Sequence, residues 1–198
     1  MPIRRMQLRR SIWLLACFLL PTATAFGQQT YTIAPEESQV VYFMEHPAHN
    51  WRGVSDKARG FIRLDVEGQP AEVDIHIPVM SFNSDNRNRD SHMAETIESY
   101  IFPEVRFHCT HIEVNKDDST AWMLDGELTF HGVTKPLHAE VKVVRTPDQL
   151  ISQGEFEITL SGYDIPLPSL LMVKVRDWLK IEFDLVAHSE EVHSKSLP

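Results

Sequence analysis

The strongest constraint on this chain is an alternation of apolar and polar residues that recurs between Tyr31 and Ala187. Residues 71–78 read Ala-Glu-Val-Asp-Ile-His-Ile-Pro, so nearly every second side chain is apolar. A two-residue period places the apolar side chains on one face of a β-strand, whereas a helix would need a spacing of three or four. The pattern returns in about eight segments separated by short turns, which predicts an all-β protein.

Strands with one apolar face at this spacing are typical of an antiparallel sheet. A sheet of about eight strands must curl or fold onto itself to bury that face. Closure into a barrel also leaves no unpaired edge, so we expect a barrel, with a two-sheet sandwich as the alternative. A barrel of this size is either filled by its side chains or holds one small ligand, and the period does not distinguish the two cases.

The first 25 residues are predicted to be a secretory signal peptide rather than part of the fold. Arg4, Arg5, Arg9 and Arg10 precede an apolar run, and Ala23-Thr24-Ala25 fits a cleavage site. We therefore expect residues 26–188 to form one barrel domain, followed by a flexible tail over 189–198. The protein would be periplasmic or secreted, with no stable membrane insertion.

The net charge excludes a nucleic-acid-binding protein, and the cysteine content excludes a protein stabilised by an intrachain disulfide. Removal of residues 1–25 takes away four arginines and no acidic residue, so the net charge moves from −9 to −13. A surface this acidic repels nucleic acids. The loss of Cys17 leaves Cys109 alone, so no intrachain disulfide forms. Cys109 lies two residues after Phe107 and four after Val105, on the same apolar strand face, which predicts a buried, unreactive thiol.

Residues 81–103 interrupt the strand pattern. Met93, Ile97 and Tyr100 are spaced by three and four, which predicts one short helix near 88–101 with an apolar face. Asp90 or Ser91 is expected to cap its start, and Pro103 is expected to stop the helix. The helix would seal or line one end of the barrel.

Two motifs in the chain resemble those of the YceI-like family of periplasmic polyisoprenoid-binding proteins. The motifs are Asn86-x-x-Arg89-Asp90-x-His92-Met93, continuing through Phe102-Pro103-x-Val105-x-Phe107, and Gly126-Glu127-Leu128-Thr129-Phe130-His131-Gly132-Val133-Thr134-Lys135-Pro136. The resemblance implies a lipocalin-like antiparallel barrel whose bore takes an isoprenoid chain, such as a polyprenyl phosphate or a quinone. No Gly-x-Ser-x-Gly motif is present, so we expect binding without chemistry and no cofactor other than the lipid.

The candidate ligand-binding residues fall into two groups. The predicted bore-lining residues are Val73, Ile75, Ile77, Met93, Ile97, Tyr100, Phe107, Trp122, Leu124, Leu128, Phe130, Phe156, Ile158, Leu171 and Phe183. The residues predicted to meet a head group, or to clamp the helix to the rim, are Arg87, Arg89, Asp90, His92 and Lys135. For Arg89 and Asp90 a structural ion pair with each other is the favoured interpretation.

Three alternatives stay open from the sequence. Leu167, Leu170, Leu171 and Met172 could form a lid, a core-packing loop or a homodimer patch. His92 beside Asp90 could serve an enzyme acting on a lipid, although no catalytic residue is predicted. A filled barrel could act as a protein-interaction or stress-related module. The histidine spacings match no metal-binding motif, so no metal site is predicted.

Overall fold

The computed structural model describes residues 28–170 and 173–190. It contains twelve strands and one α-helix, α1, at Arg87–Thr96. The strands are β1 Gln29–Ile33, β2 Gln39–His46, β3 His49–Ser55, β4 Arg59–Leu64, β5 Pro70–Pro78, β6 Glu104–Val114, β7 Ala121–Phe130, β8 Val133–Arg145, β9 Gln149–Ile158, β10 Ser169–Leu170, β11 Val173–Lys174 and β12 Leu179–Ser189.

Eight of these strands close into an antiparallel barrel. Their order is β1-β4-β5-β6-β7-β8-β9-β12, and β12 returns to β1 through the pair Ile33 and Ala187. The all-β, lipocalin-like barrel with one helix is therefore confirmed, and the sandwich alternative is wrong. The opposite half of β12 pairs with β2, and β2 and β3 form an extra hairpin on the barrel.

The two ends of the barrel differ in how they are packed. At one end a cluster of apolar side chains surrounds Tyr31, Leu64 and Leu150, which are inaccessible to solvent. The other end lies beside α1, where Ile97 packs with Leu128 in a second cluster. We call the first the closed end and the second the rim. Strand β8 runs from the rim at Val133 to the closed end at Arg145.

The helix is shorter than predicted, and its predicted caps are wrong. Asn86, rather than Asp90 or Ser91, accepts a hydrogen bond from the Arg89 amide at 3.1 Å and caps the first turn. The helix stops at Thr96, before Pro103 can act. Glu98 has φ +48°, and the Ser99 amide donates to the Ala94 carbonyl, so a Schellman motif ends the helix.

Two segments that the sequence predicts to be connections belong in part to strands. The sequence of residues 46–52 lacks strand alternation and predicts a loop. In the structure 49–55 are β3, because this segment pairs with β2 through its backbone. His131 and Gly132 both have positive φ and form a two-residue hairpin turn, so β8 starts at Val133 and Lys135 lies within it. Gly132 and Pro136 in the sequence predict a tight connection over 131–136, but the structure limits the turn to His131 and Gly132.

The predicted signal peptide at residues 1–25 lies outside the described residues, as do 191–198. The predicted tail starts within the fold, because β12 ends at Ser189 and the Glu190 amide donates to the Thr30 carbonyl.

Within residues 28–170 and 173–190, no helix has the length and apolar character needed to cross a membrane.

Candidate functional site

The barrel is hollow between its two apolar clusters. A cavity of about 620 Å³ extends from the rim at His49 and His92 down to Val143 and Leu185. This volume lies within the range of about 300–1,000 Å³ that is usual for small-molecule sites. The bore is therefore open rather than filled by side chains, which the strand period alone could not decide.

Most of the predicted bore residues lie on the cavity wall. They are Val73, Ile75, Ile77, Met93, Ile97, Phe107, Trp122, Leu124, Leu128, Phe130, Phe156, Ile158 and Phe183. The strand alternation explains this placement, because residues of one parity on each barrel strand point inward. Contact of these residues with a ligand stays a prediction.

Two predicted wall residues have another outcome. Tyr100 is 98% exposed and does not line the cavity, because the αL residue Glu98 reverses the chain after α1 and turns Tyr100 to solvent. Its placement on the helix face with Met93 and Ile97 was wrong. Leu171 lies outside the described residues, as does Met172. Leu167 packs against the second cluster, which favours the core-packing interpretation for that residue.

Charged side chains are rare on the wall. Among the described lining residues Arg89 is the one Arg or Lys, and there is no Asp or Glu. The guanidinium of Arg89 lies 5.3 Å from the ring centroid of Trp51, and its Nη1 donates to the Ser84 carbonyl at 3.4 Å. A cation over an indole face is stabilised and held in a fixed orientation. The rim therefore presents one positive charge to an otherwise apolar cavity.

The predicted Arg89–Asp90 ion pair is not the contact that holds the helix. The Asp90 carboxylate instead accepts hydrogen bonds from the Ser84 amide at 3.2 Å and the Ser84 hydroxyl at 2.6 Å. Arg89 thus binds the carbonyl of Ser84, and Asp90 binds its amide and hydroxyl, in the approach to α1. Arg89 and Asp90 do not pair with each other, because successive helical residues point in different directions. The contacts that hold the start of the helix meet at Ser84 instead.

The other predicted head-group residues are dispersed. His92 lines the rim, and its ring faces Glu95 at 3.7 Å. Arg87 is exposed and lies outside the cavity lining. Lys135 also lies outside it, with its ammonium 5.7 Å from the ring centroid of Tyr163. Of the five predicted residues, the structure brings Arg89 and His92 to the cavity.

Sequence reasoning missed Tyr42, which lies under the rim. Its ring packs edge-on against Phe82 at 5.4 Å, and a Cβ atom at Gly53 would come within 2.3 Å of it. Burial, together with the nearby Asp90 carboxylate, raises the pKa of Tyr42 to about 12. The phenol therefore stays protonated and can donate a hydrogen bond at the cavity wall.

His46 is a second rim residue that the sequence did not single out. Its Nδ1 accepts from the Ala48 amide at 3.0 Å, so the ring proton must sit on Nε2, which donates to the Val173 carbonyl at 3.2 Å. One neutral tautomer thus joins the β2–β3 hairpin to β11. His49 lies between His46 and Trp51, with ring centroids 5.7 and 5.2 Å away.

Two other predictions concern reactive groups. Cys109 is buried, as expected, and burial raises the pKa of its thiol. Over the described ranges 28–170 and 173–190, no three His, Cys, Asp or Glu side chains are grouped so as to hold a metal ion.

An eight-stranded antiparallel barrel with an apolar cavity and a polar rim defines a class of small-ligand-binding barrels. The sequence model of the YceI-like domain matches residues 31–187. The chain belongs to the YceI-like family.

Relatives of known sequence are distant but cover most of the chain. Protein YceI of Escherichia coli is 26% identical over 157 residues, which are 77% of this chain and 75% of that protein. A UPF0312 protein of Photorhabdus laumondii is 24% identical over 179 residues, covering 87% of this chain and 86% of that protein.

Solved structures share the fold. BcnA of Burkholderia cenocepacia superposes with a TM-score of 0.69 at 19% identity, over 78% of this chain and 99% of that one. A polyisoprenoid-binding domain from Saccharophagus degradans, implicated in plant cell wall breakdown, gives 0.65 at 12% identity, over 81% and 98%.

Proposed function

We propose that this protein binds a long apolar isoprenoid-type lipid, a polyprenyl phosphate or an isoprenoid quinone, in the barrel cavity. The observation that carries the proposal is the 620 Å³ cavity, which has a largely apolar wall and Arg89 as the one Arg or Lys among its described lining residues. The polyisoprenoid-binding domain with the same fold supports the ligand class.

The tail of such a lipid supplies most of the binding free energy. Each methylene moved from water to an apolar wall contributes about 0.8 kcal/mol. The inward side chains of β5 and β7, such as Ile75 and Leu124, provide that wall without any charged group to desolvate. The cavity thus needs no specific contact to hold an unbranched or methyl-branched chain.

The rim would orient the head group. Arg89 can make bidentate hydrogen bonds to a phosphate, while the protonated Tyr42 phenol and the His49 and His92 rings offer donors for either head group. Within residues 28–170 and 173–190, no Asp or Glu lines the cavity, so no carboxylate there repels an anion. An anionic or carbonyl-bearing head group is therefore complementary to this end of the cavity.

The proposed function includes no chemistry on the lipid. An acid–base pair would need His92 and Asp90 to meet, but the Asp90 carboxylate bonds to Ser84 and the His92 ring faces Glu95. The predicted signal peptide and the family resemblance support export to the periplasm, where the protein would act as a carrier.

Native mass spectrometry of protein purified from its own periplasm tests the proposal. We expect a mass increment that solvent extraction identifies as an isoprenoid lipid. Added undecaprenyl phosphate or ubiquinone should refill the extracted protein, and a chain-length series should identify the preferred tail. A protein that is empty after purification and takes up neither probe would refute the proposed function.

Ala139→Phe provides the matched variant. Ala139 lies on the wall, so a phenyl ring there would occupy the bore, whereas His138→Phe places the same ring on the outer face of β8. The first variant should lose at least about tenfold in affinity, equivalent to about 1.4 kcal/mol, and the second should bind normally. Equal binding by both variants would place the lipid elsewhere.

A further inference from the structure

Large apolar side chains are exposed at the rim of this barrel. Tyr100 is 98% exposed, Ile101 65%, Met80 61% and Val173 45%. We call these four residues the rim patch. Single exposed apolar residues are ordinary, but several around the mouth of a cavity need an explanation.

The chain holds Tyr100 and Ile101 outward. The Ile101 and Phe102 amides both donate to the Glu98 carbonyl, which fixes the turn after α1. Phe102 anchors that turn from beneath, since its ring packs edge-on against His131 at 4.7 Å and closely over Gly132. The Glu98 carboxylate also contacts His131 Nε2 at 3.3 Å. With Phe102 packed against His131, the two residues before it, Tyr100 and Ile101, stay exposed to solvent.

Each member of the patch lies within four residues of a residue that lines the cavity, namely Val79, Ile97 or Val175. Met80 follows Val79, a wall residue, and its Sδ accepts a hydrogen bond from the Ser99 hydroxyl at 3.2 Å. Ser99 is separated from the wall residue Ile97 by Glu98 alone. Val173 is the residue whose carbonyl binds His46 at the rim. An apolar body resting on the patch would therefore adjoin the opening of the bore.

The charge of the rim differs from that of the chain. Segments 45–52, 85–102 and 168–176 together hold five Arg or Lys residues and five Asp or Glu residues, so they are neutral. The whole chain carries 19 basic and 28 acidic residues. An anionic surface would thus repel the sides and closed end of the barrel more than the rim, which orients the rim toward it.

We propose that the rim patch is a docking surface for a lipid bilayer, through which the isoprenoid passes between membrane and cavity. The inference rests on the proposed function. Moving an isoprenoid through water costs about 0.8 kcal/mol of free energy for each methylene that becomes exposed. Direct contact of the rim with the bilayer removes most of this barrier to transfer. Tyr suits the interfacial region of a bilayer, because its ring is apolar and its hydroxyl polar.

The test compares two double variants of the full-length mature protein. Tyr100→Ser/Ile101→Ser removes the most exposed part of the rim patch. Val66→Ser/Val144→Ser is the matched control, because these valines are 59% and 52% exposed at the closed end, where Arg145 donates to the Gly68 carbonyl. All four positions are exposed, so both variants should fold.

Two measurements separate docking from binding. Uptake of ubiquinone from vesicles of phosphatidylcholine and phosphatidylglycerol, whose surface is anionic, is followed by quenching of Trp51 and Trp122, both of which line the cavity. Equilibrium affinity is measured with ubiquinone in detergent. We expect the rim variant to take up ubiquinone from vesicles about tenfold more slowly than wild type, which corresponds to about 1.4 kcal/mol. Its affinity in detergent should be unchanged, and the control should match wild type in both. Undecaprenyl phosphate, with uptake read by mass spectrometry, repeats the comparison.

The outcomes that overturn the inference are distinct from failure of the proposed function. If both variants bind normally in detergent and take up the lipids from vesicles at the wild-type rate, docking is wrong and lipid binding stands. If the wild type sediments as a dimer, the rim variant as a monomer, and uptake rates are equal, the patch joins two copies of this chain instead. If wild type binds neither probe in detergent, the proposed function itself fails.

Discussion

Cys109 and Asp74 are ionisable residues on opposite faces of the paired strands β6 and β5, and their surroundings differ accordingly. Cys109 pairs with Val73 and points into the apolar cluster, while Asp74, the next residue along β5, points outward to Arg106. Cys109 lies two residues from Phe107 and therefore on the same apolar strand face, which was enough to predict its burial. The Asp74–Arg106 contact was not predictable, because it depends on the register between β5 and β6, which turn lengths decide.

The Cys109 thiol should be inert in the folded protein. Burial raises the pKa of this thiol, and only the thiolate reacts with alkylating or disulfide reagents. We expect peptide mass spectrometry to find Cys109 unmodified by iodoacetamide in the native state and fully modified in urea. Rapid native-state modification at Cys109 would show that the closed end opens readily.

Asp74→Asn should destabilise the protein at neutral pH but not in strong acid. Two hydrogen bonds from Arg106, at 2.9 and 2.8 Å, hold the pKa of the Asp74 carboxyl below its usual value. Because the folded-state pKa is lowered, the stabilisation is present above the unfolded pKa of about 3.9 and is lost as the pH falls through the folded value.

Urea unfolding at pH 7 should give a loss of about 1 kcal/mol for Asp74→Asn, since the pair is partly exposed, and the difference from wild type should shrink toward zero at about pH 2. Asp56→Asn, at an exposed carboxylate beside Lys57, serves as the control and should change little. An equal loss for Asp74→Asn at both pH values would mean that the carboxylate's charge is not the cause.

Strand β3 and helix α1 show where sequence patterns stop being informative at the level of elements. Residues 49–53 read His-Asn-Trp-Arg-Gly and lack the β-branched residues that usually mark a strand. Pairing with β2 outweighs this low propensity. In α1 the apolar spacing correctly placed Met93 and Ile97 on the cavity, but nothing in that spacing indicated that Glu98 would adopt an αL conformation and expose Tyr100.

Asn86→Ala should weaken the start of α1. The Asn86 side chain satisfies the free Arg89 amide at 3.1 Å, and loss of such a cap costs about 1 kcal/mol. Asn86→Asp keeps an acceptor in place and should retain most of the stability, whereas Asn88→Ala, at an exposed position inside the helix, should be neutral or slightly stabilising. Thermal unfolding of the three variants measures the differences. A cost for Asn88→Ala as large as that for Asn86→Ala would refute the capping role.

The closed barrel follows from the whole chain rather than from any one segment. About eight amphipathic strands predicted closure, since no other arrangement buries every apolar face and leaves no edge. The volume left inside depends on the inward side chains of all the strands together, so the sequence could not decide between a filled bore and a cavity. Strand β12 is central to this geometry, because it pairs with β9 along its length and with β2 and β1 at its two halves.

Truncation should locate the end of the cooperative unit within β12. The β1–β12 seam closes the barrel at Ile33 and Ala187, and Leu185 and Ala187 are buried in the first cluster. A chain that ends at Glu190 keeps every one of these pairs, so its melting temperature should equal that of the full-length protein.

A chain that ends at Asp184 loses the seam and leaves β1 with β4 as its one remaining partner. The free-energy cost of losing the β1–β12 pairing and the apolar burial should exceed the roughly 5–15 kcal/mol by which domains are stable. This chain should therefore lack a cooperative transition in circular dichroism. A folded protein ending at Asp184 would show that the barrel does not need its closing seam, and that the cavity is enclosed by the other strands alone.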